Sequence, residues 1–325
     1  MNMQVNRREL LKWASAASLA SSGVVRAQSG TARLIVGFPP GGVADNVARV
    51  LAPLLAKGTG TTTIVENKPG AAGQLGVQAM RQGEPDGLTL LVTSASILTL
   101  TPHLYRKPMF DSLRDVTCIS TLCDQSFALA VPAKSHIKSV AEFIAWGKAN
   151  PKELSFASPG LGTSPHFLGV MFGRETGLAM NHIAYKGTAP GLQDLIGGQV
   201  ASTFNPLPTM IEFHQAGRIR ILAVTNPRRV ASLPDVPTFS ELKLRGLEYL
   251  EWYGMFAPAR TSDNIVRRLQ EAVHQAVASK EFVDAAKRLE LEPRTIDAAG
   301  LRKLLEADSN RWAGIVKATG ITLDS

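Results

Sequence analysis

The residues best placed to do chemistry sit in three loops of one design. They are F-P-P-G-G-V-A-D (Phe38 to Asp45), A-S-P-G-L-G-T-S-P-H (Ala157 to His166) and A-Y-K-G-T-A-P (Ala184 to Pro190). Each follows a strand-like run, turns through glycines and opens a helical pattern. A helix N-terminus exposes N–H groups that have no intrahelical acceptor, and it carries about half a positive charge. Glycines let that backbone approach a ligand closely. The combination favours an anion without a charged side chain. Pro165 and Pro190 suit a first helical turn, which puts Ser164 and Ala189 near the N-caps. One such loop alone is an ordinary connection between strand and helix. A fourth Gly-rich run, P-G-A-A-G-Q-L-G (Pro69 to Gly76), reads as a structural turn.

Magnitudes decide which groups would hold an anion there. One helix end contributes roughly 0.3–1 kcal/mol, rising to about 2 when partly buried. A micromolar ligand needs about 8 kcal/mol. Three helix ends fall short, so directed hydrogen bonds of roughly 1.5–3 kcal/mol each must carry most of the binding. Backbone N–H groups and the Ser and Thr hydroxyls of these loops are the donors available. Lys186 is the charged alternative, with a surface role as its ordinary reading. His166, at a helix start, is expected to stay neutral because the positive helix end disfavours imidazolium.

Other chemistries find less support. Ser164 and His166 are two residues apart, and neighbours at that spacing on a helix point in different directions. A nucleophile needs a base within reach and a third group to orient it. No G-x-S-x-G elbow, H-E-x-x-H zinc motif, G-x-G-x-x-G fingerprint or P-loop occurs, and the six His are scattered. A secreted hydrolase is the alternative of another class, and generic ester turnover would reveal it. No metal site and no cofactor are expected.

The elements that must position these loops alternate. Strand-like runs at Arg33–Gly37, Thr62–Glu66, Leu88–Thr93, Thr117–Leu122, Phe127–Val131, Leu154–Ala157, Asn181–Ala184, Val200–Phe204 and Ile219–Val224 are separated by helical patterns. That rhythm predicts an α/β fold with mainly parallel sheets. The tail reads as three helices, Asp263–Ser279, Glu281–Leu289 and Ala298–Thr319, with no strand between them. Phe127–Val131 and Tyr249–Ala257 are the natural points for the chain to cross between two lobes. Cys118 and Cys123 lie at an odd offset in one strand, which places them on opposite faces as small buried hydrophobes.

The chain has 325 residues, enough for two lobes with buried cores, and a formal net charge of +8. The Lys and Arg are scattered, with Arg228-Arg229 the notable doublet, so nucleic-acid binding is not indicated. A mildly positive field biases encounter toward an anionic solute. Residues 1–27 read as an export signal cut after Ala27. The stretch Trp13 to Val25 is too short for a bilayer span of roughly 20 apolar residues. N-R-R-E-L-L-K (Asn6 to Lys12) resembles a twin-arginine signal, with Asn6 where Ser is commoner and Leu10 where Phe is commoner. A Sec signal with two incidental arginines is the alternative.

The loops and their neighbours resemble the Bug family, the periplasmic receptors of the tripartite tricarboxylate transporter class. The matching motifs are F-P-P-G-G-x-x-D, V-E-N-K-P-G-A-A-G, P-D-G-L-T-L, A-S-P-G-L-G-T-S-P-H, A-Y-K-G-T-A-P, D-L-I-G-G-Q-V, R-I-L-A-V-T and L-P-D-V-P-T-F-S-E, in order from about Arg33 to Ile321. The resemblance implies a type II periplasmic-binding-protein fold, two α/β lobes with a ligand cleft and a hinge crossed twice. Lobe 1 would comprise residues 28–126 and 252–325, and lobe 2 residues 127–251.

The resemblance also implies an exported, periplasmic monomer that binds a small carboxylate and hands it to membrane permease subunits. A solute-sensing accessory of a signalling system would use the same site. Carried onto this chain, the ligand-binding residues are Pro40, Gly41, Gly42, Asp45, Ser94 and Ala95 from the first lobe. The second lobe supplies Ser158, Gly160, Gly162, Thr163, Ser164, His166, Tyr185, Gly187 and Thr188, with Asn205 as the selectivity position. Ala184 replaces a common Pro and Leu88 a common Tyr. The Asn205-Pro206 pair departs from a frequent Asp-containing version, which leaves the identity of the carboxylate open.

Overall fold

The computed structural model describes residues 30–323. The export segment at residues 1–27 lies outside them. Two mixed sheets organise the chain. The first has the order β11-β4-β10-β3-β1-β2. Its strands are β1 (Ala32–Val36), β2 (Thr63–Asn67), β3 (Thr89–Ser94), β4 (Val116–Gln125), β10 (Glu251–Pro258) and β11 (Glu292–Pro293). The second has the order β7-β6-β8-β5-β9. It contains β5 (Phe127–Pro132), β6 (Ser155–Ser158), β7 (Asn181–Ala184), β8 (Ser202–Pro206) and β9 (Ile219–Val224).

Within each sheet a parallel set carries the Gly-rich loops. β1 pairs in parallel with β2 and β3, and β6 pairs in parallel with β7 and β8. The loops after β1, β3, β6 and β7 therefore leave the carboxyl ends of parallel strands and enter helices, the place where open α/β sheets bind ligands.

The sheets are covered on both faces, as the side-chain alternation of a strand requires. Along β5, Phe127, Leu129 and Val131 enter one core cluster, and Ala128 and Ala130 enter the opposite one. In β4, Cys118 and Cys123 go to different clusters on opposite faces, both buried and free of any disulfide.

Only Ser126 separates β4 from β5, so the chain steps directly from the first sheet to the second. It returns at β10. The return is tied down by Tyr249 N–H to the Thr225 carbonyl (3.0 Å), while the Thr225 hydroxyl accepts from Phe127 N–H (2.9 Å).

The tail differs from its expected form in two ways. A two-residue strand, β11, lies between the second and third helices and pairs with Asp124 and Cys123 of β4. The last helix, Ala298–Thr319, also reaches both halves of the molecule. Leu301 and Leu305 pack in a cluster of the first sheet, and Trp312 and Val316 pack with Phe127, Phe167 and Tyr249. Trp312 meets the Phe167 and Tyr249 rings edge-on at 5.7 and 5.4 Å. This helix is a third tie between the sheets, beside the two chain crossings.

Candidate ligand cleft

The first loop is held in shape by its own acid. Gly41 takes a φ of +87°, open to glycine without strain. Its N–H donates to Asp45 Oδ2 (2.9 Å), which also accepts from Arg49 Nε (2.8 Å), and Asp45 Oδ1 accepts from Asn67 Nδ2 (2.9 Å). Asn67 Nδ2 also reaches the Phe38 carbonyl. Burial pushes the Asp45 carboxyl up, but Arg49, Gly41 and Asn67 together outweigh it and hold the carboxyl below its usual value. Asp45 thus faces its own loop. Pro40, Gly41 and Gly42 are exposed at the start of the helix Val43–Thr59, where Gly42 is the N-cap. The Pro69–Gly76 turn packs behind them. A Cβ at Gly37 would lie 2.5 Å from the Gly73 carbonyl oxygen and one at Gly76 2.6 Å from Gly37 Cα, so neither close approach tolerates a side chain.

The second-lobe loop is internally bonded. Ser158 Oγ contacts the Gly160 carbonyl (3.0 Å) and His182 Nε2 (2.7 Å), and Thr163 Oγ1 donates to the same carbonyl (2.8 Å). Gly162 N–H donates to His166 Nδ1 (3.1 Å). The N-cap of the helix Ser164–Thr176 is Thr163, whose hydroxyl accepts from His166 N–H, so the cap lies one residue before Ser164. The next helix, Thr188–Gly197, is capped by Gly187 at φ +106°, two residues before Ala189, because only glycine turns the chain there without strain. Gly187 N–H donates to the Pro159 carbonyl (2.9 Å) and joins the two loops. Tyr185 directs its hydroxyl to Asp194 (2.6 Å), and burial and then that carboxylate push the phenol up to about 12. Lys186 is exposed.

His166 stacks on His182 with ring centroids 3.8 Å apart. Burial first, and then His182, lowers His166 to about 3, and burial lowers His182 to about 4. His166 is neutral, as its helix position suggests, but the leading cause is burial. With Nδ1 accepting from Gly162, its proton sits on Nε2. His182, absent from the sequence-based set, is the partner that stacks on it and bonds Ser158. Asn205 is buried at the end of β8. Its Nδ2 donates to Thr203 Oγ1 (2.7 Å), and its Oδ1 has no partner.

The two halves meet at a residue that the loop motifs do not contain. Glu251, at the start of β10, is buried, and its Oε1 accepts from Ser96 N–H (3.1 Å) and from the Ser164 hydroxyl (3.2 Å). Its Oε2 accepts from Gln125 Nε2 (3.4 Å). Ser94 Oγ lies 3.2 Å from Ser96 Oγ, beside the buried Ala95. The Ser164 hydroxyl is therefore engaged by the protein. The sequence signal for Glu251 was a lone carboxylate inside the apolar run Y-L-E-W-Y-G-M-F-A. Among the described residues, no group of three or more His, Cys, Asp or Glu could hold a metal ion.

Two α/β lobes, with helix-opening loops at their strand ends and a hinge behind them, define a periplasmic-type solute-binding protein. The tripartite tricarboxylate transporter family receptor model matches residues 47–321. BugT of Bordetella pertussis is 34% identical over 296 residues, covering 90% of each chain. An R. palustris protein solved with adipate superposes with a TM-score of 0.83 at 28% identity, covering 91% of this chain and 98% of that one. MatC of Rhodopseudomonas palustris, solved with malate, gives 0.78 at 26% identity, covering 88% and 98%. The chain belongs to the tripartite tricarboxylate transporter receptor family. It is a solute-binding receptor and not an enzyme.

Proposed function

We propose that this receptor closes its two lobes on a small carboxylate and holds it with backbone N–H groups and hydroxyls, without a guanidinium clamp. The observation that carries the reading is the geometry of the loops. Helix starts at Val43, Ser164 and Thr188 stand at the carboxyl ends of parallel strands, and no Arg belongs to these loops. Similar proteins solved with malate and adipate support a carboxylate as the ligand.

On this reading Pro40, Gly41 and Gly42 face the ligand from the first lobe. Gly160, Gly162, Thr163, Gly187 and Thr188 face it from the second. Asp45 and His166 shape the loops that do so, and Asn205 selects. The lobes divide at residues 126–127 and 251–252. The protein acts as a monomer in the periplasm and delivers its solute to membrane permease subunits. Among the described residues no helix is long and apolar enough to cross a membrane.

A thermal-shift screen against a carboxylate library tests the central point, because a ligand that binds the folded state raises its melting temperature by mass action. Export through the twin-arginine route is tested by changing Arg7 and Arg8 to Lys, which should trap the precursor inside the cell. Normal periplasmic accumulation of that variant favours the Sec route.

A further inference from the structure

Glu251 is a carboxylate that the protein itself places at the junction of its two lobes. It projects from the first strand after the return crossing. One of its oxygens, Oε1, receives a donor from each side: the Ser96 N–H from the short helix Ala95–Thr99 after β3, at 3.1 Å, and the Ser164 hydroxyl from the start of the helix Ser164–Thr176 after β6, at 3.2 Å. Gln125, the last residue of β4, binds the other oxygen at 3.4 Å. Tyr253 donates to Gln125 Oε1 and closes the ring of groups around it. Every recorded donor to Glu251 is neutral, and no cation bonds to it among the described residues.

That arrangement has a consequence for the ligand. A dicarboxylate needs hydrogen-bond donors at each of its two ends. The Ser96 N–H and the Ser164 hydroxyl, from the helix starts after β3 and β6 where ligand-binding residues are expected, are already occupied by Glu251. A second ligand carboxylate brought there would meet a carboxylate acceptor with its neighbouring hydrogens engaged, and like charges at such a separation repel strongly in a buried site. A hydrogen-bond-donating group meets the opposite situation, because Glu251 has no cation to compete with it.

We infer that Glu251 is a second determinant of specificity beside Asn205: the ligand presents one carboxylate to the glycine loops and a hydrogen-bond donor, an ammonium or hydroxyl group, to Glu251. The inference rests on the carboxylate-receptor reading above and narrows it from carboxylates in general to monocarboxylates with a donor at the inner end. On this inference the chain would select differently from the neighbour solved with adipate, whose ligand has a carboxylate at both ends.

Matched ligand pairs test the point, because each pair keeps the spacer and exchanges only the inner group. Suitable pairs are succinate with 4-aminobutanoate, adipate with 6-aminohexanoate, and terephthalate with 4-(aminomethyl)benzoate. Calorimetry on the wild-type protein should show the amine member binding at least tenfold more tightly in whichever pair fits the cleft. In Glu251→Gln, which keeps the shape but places an N–H where an acceptor stood, that ratio should fall at least tenfold. The wild-type ratio needs no variant and stands even if the substitution impairs folding.

A wild-type ratio of one or less overturns the assignment. So does a high ratio that Glu251→Gln leaves unmoved, since the selection then lies elsewhere. Library ligands confined to multicarboxylates overturn the role of Glu251 and leave the receptor reading intact. No binding by any carboxylate overturns both.

Discussion

Ser164→Ala is the perturbation whose effect follows most directly from the structure. The side chain is buried, and its hydroxyl donates to Glu251 Oε1. A hydrogen bond to a charged group contributes about 1.5–3 kcal/mol. Glu251 keeps its bonds from Ser96 and Gln125, so the lower half of that range applies. At about 2–4 °C per kcal/mol, the melting temperature should fall by about 3–8 °C.

The loss should also depend on pH. Burial pushes the Glu251 carboxyl up, and the bonds from Ser96, Ser164 and Gln125 offset this only in part. The folded state therefore holds the proton to a higher pH than the unfolded state does. Stability from this group is lost as pH rises from the ordinary carboxylate value through the raised folded one. Removing the Ser164 donor raises the folded value further, so the gap between wild type and Ser164→Ala should widen with pH. Denaturant titrations of wild type, Ser164→Ala, Glu251→Gln and the double variant between pH 4.5 and 9 give the coupling directly. A gap that is flat with pH, and equally large in the Glu251→Gln background, would refute the coupling.

Three further outcomes are expected. Lys186→Met should change ligand affinity less than about fivefold, because an exposed cation contributes about 0–1 kcal/mol; a loss of a hundredfold in calorimetry would show a charged clamp after all. Asp45→Asn should weaken binding by about tenfold, or about 1.4 kcal/mol, by releasing the Gly41 N–H and Arg49 from their shared acceptor, and unchanged affinity would mean that the loop holds its shape without the acid. His166→Gln should lessen acid destabilisation. The imidazole titrates at about 3 in the folded protein against an ordinary 6.5, so its stability contribution is lost as pH falls from 6.5 toward 3, on the order of 2 kcal/mol by pH 5. Parallel melting curves for wild type and variant between pH 7 and 5 would contradict that.

The loops and the parallel strands were legible in the sequence because both are local. A strand run, a glycine turn and a proline at a helix start lie within a dozen residues, and the alternation along β5 shows in the order of its apolar residues. Caps proved less exact. The caps are Thr163 and Gly187, one and two residues before the Ser164 and Ala189 expected near them, because a cap is set by backbone angles that several neighbouring residues can satisfy. Partners distant in the chain were not legible. Glu251 bonds Ser96 across 155 residues and Ser164 across 87, and no periodicity encodes those meetings. The same holds for His182 beneath His166. Asp45 shows a different limit. An acid in a first helical turn reads equally as a ligand contact or as a brace for its own loop, and only the positions of Gly41, Arg49 and Asn67 show the second. The last helix falls within the expected lobe 1, residues 252–325, and its period says nothing of what it packs against. Its contact with Phe167 and Tyr249 depends on where those rings sit in the folded molecule.

The most direct measurement is calorimetry of the best carboxylate from the library against its own methyl ester, at one fixed salt concentration. Donors aimed at a carboxylate, each contributing about 1.5–3 kcal/mol, predict that the acid binds in the micromolar range and that the ester, lacking the charge, binds at least a hundredfold more weakly. Equal affinity for acid and ester, or no carboxylate that binds at all, would contradict a receptor built to capture a carboxylate at its glycine loops.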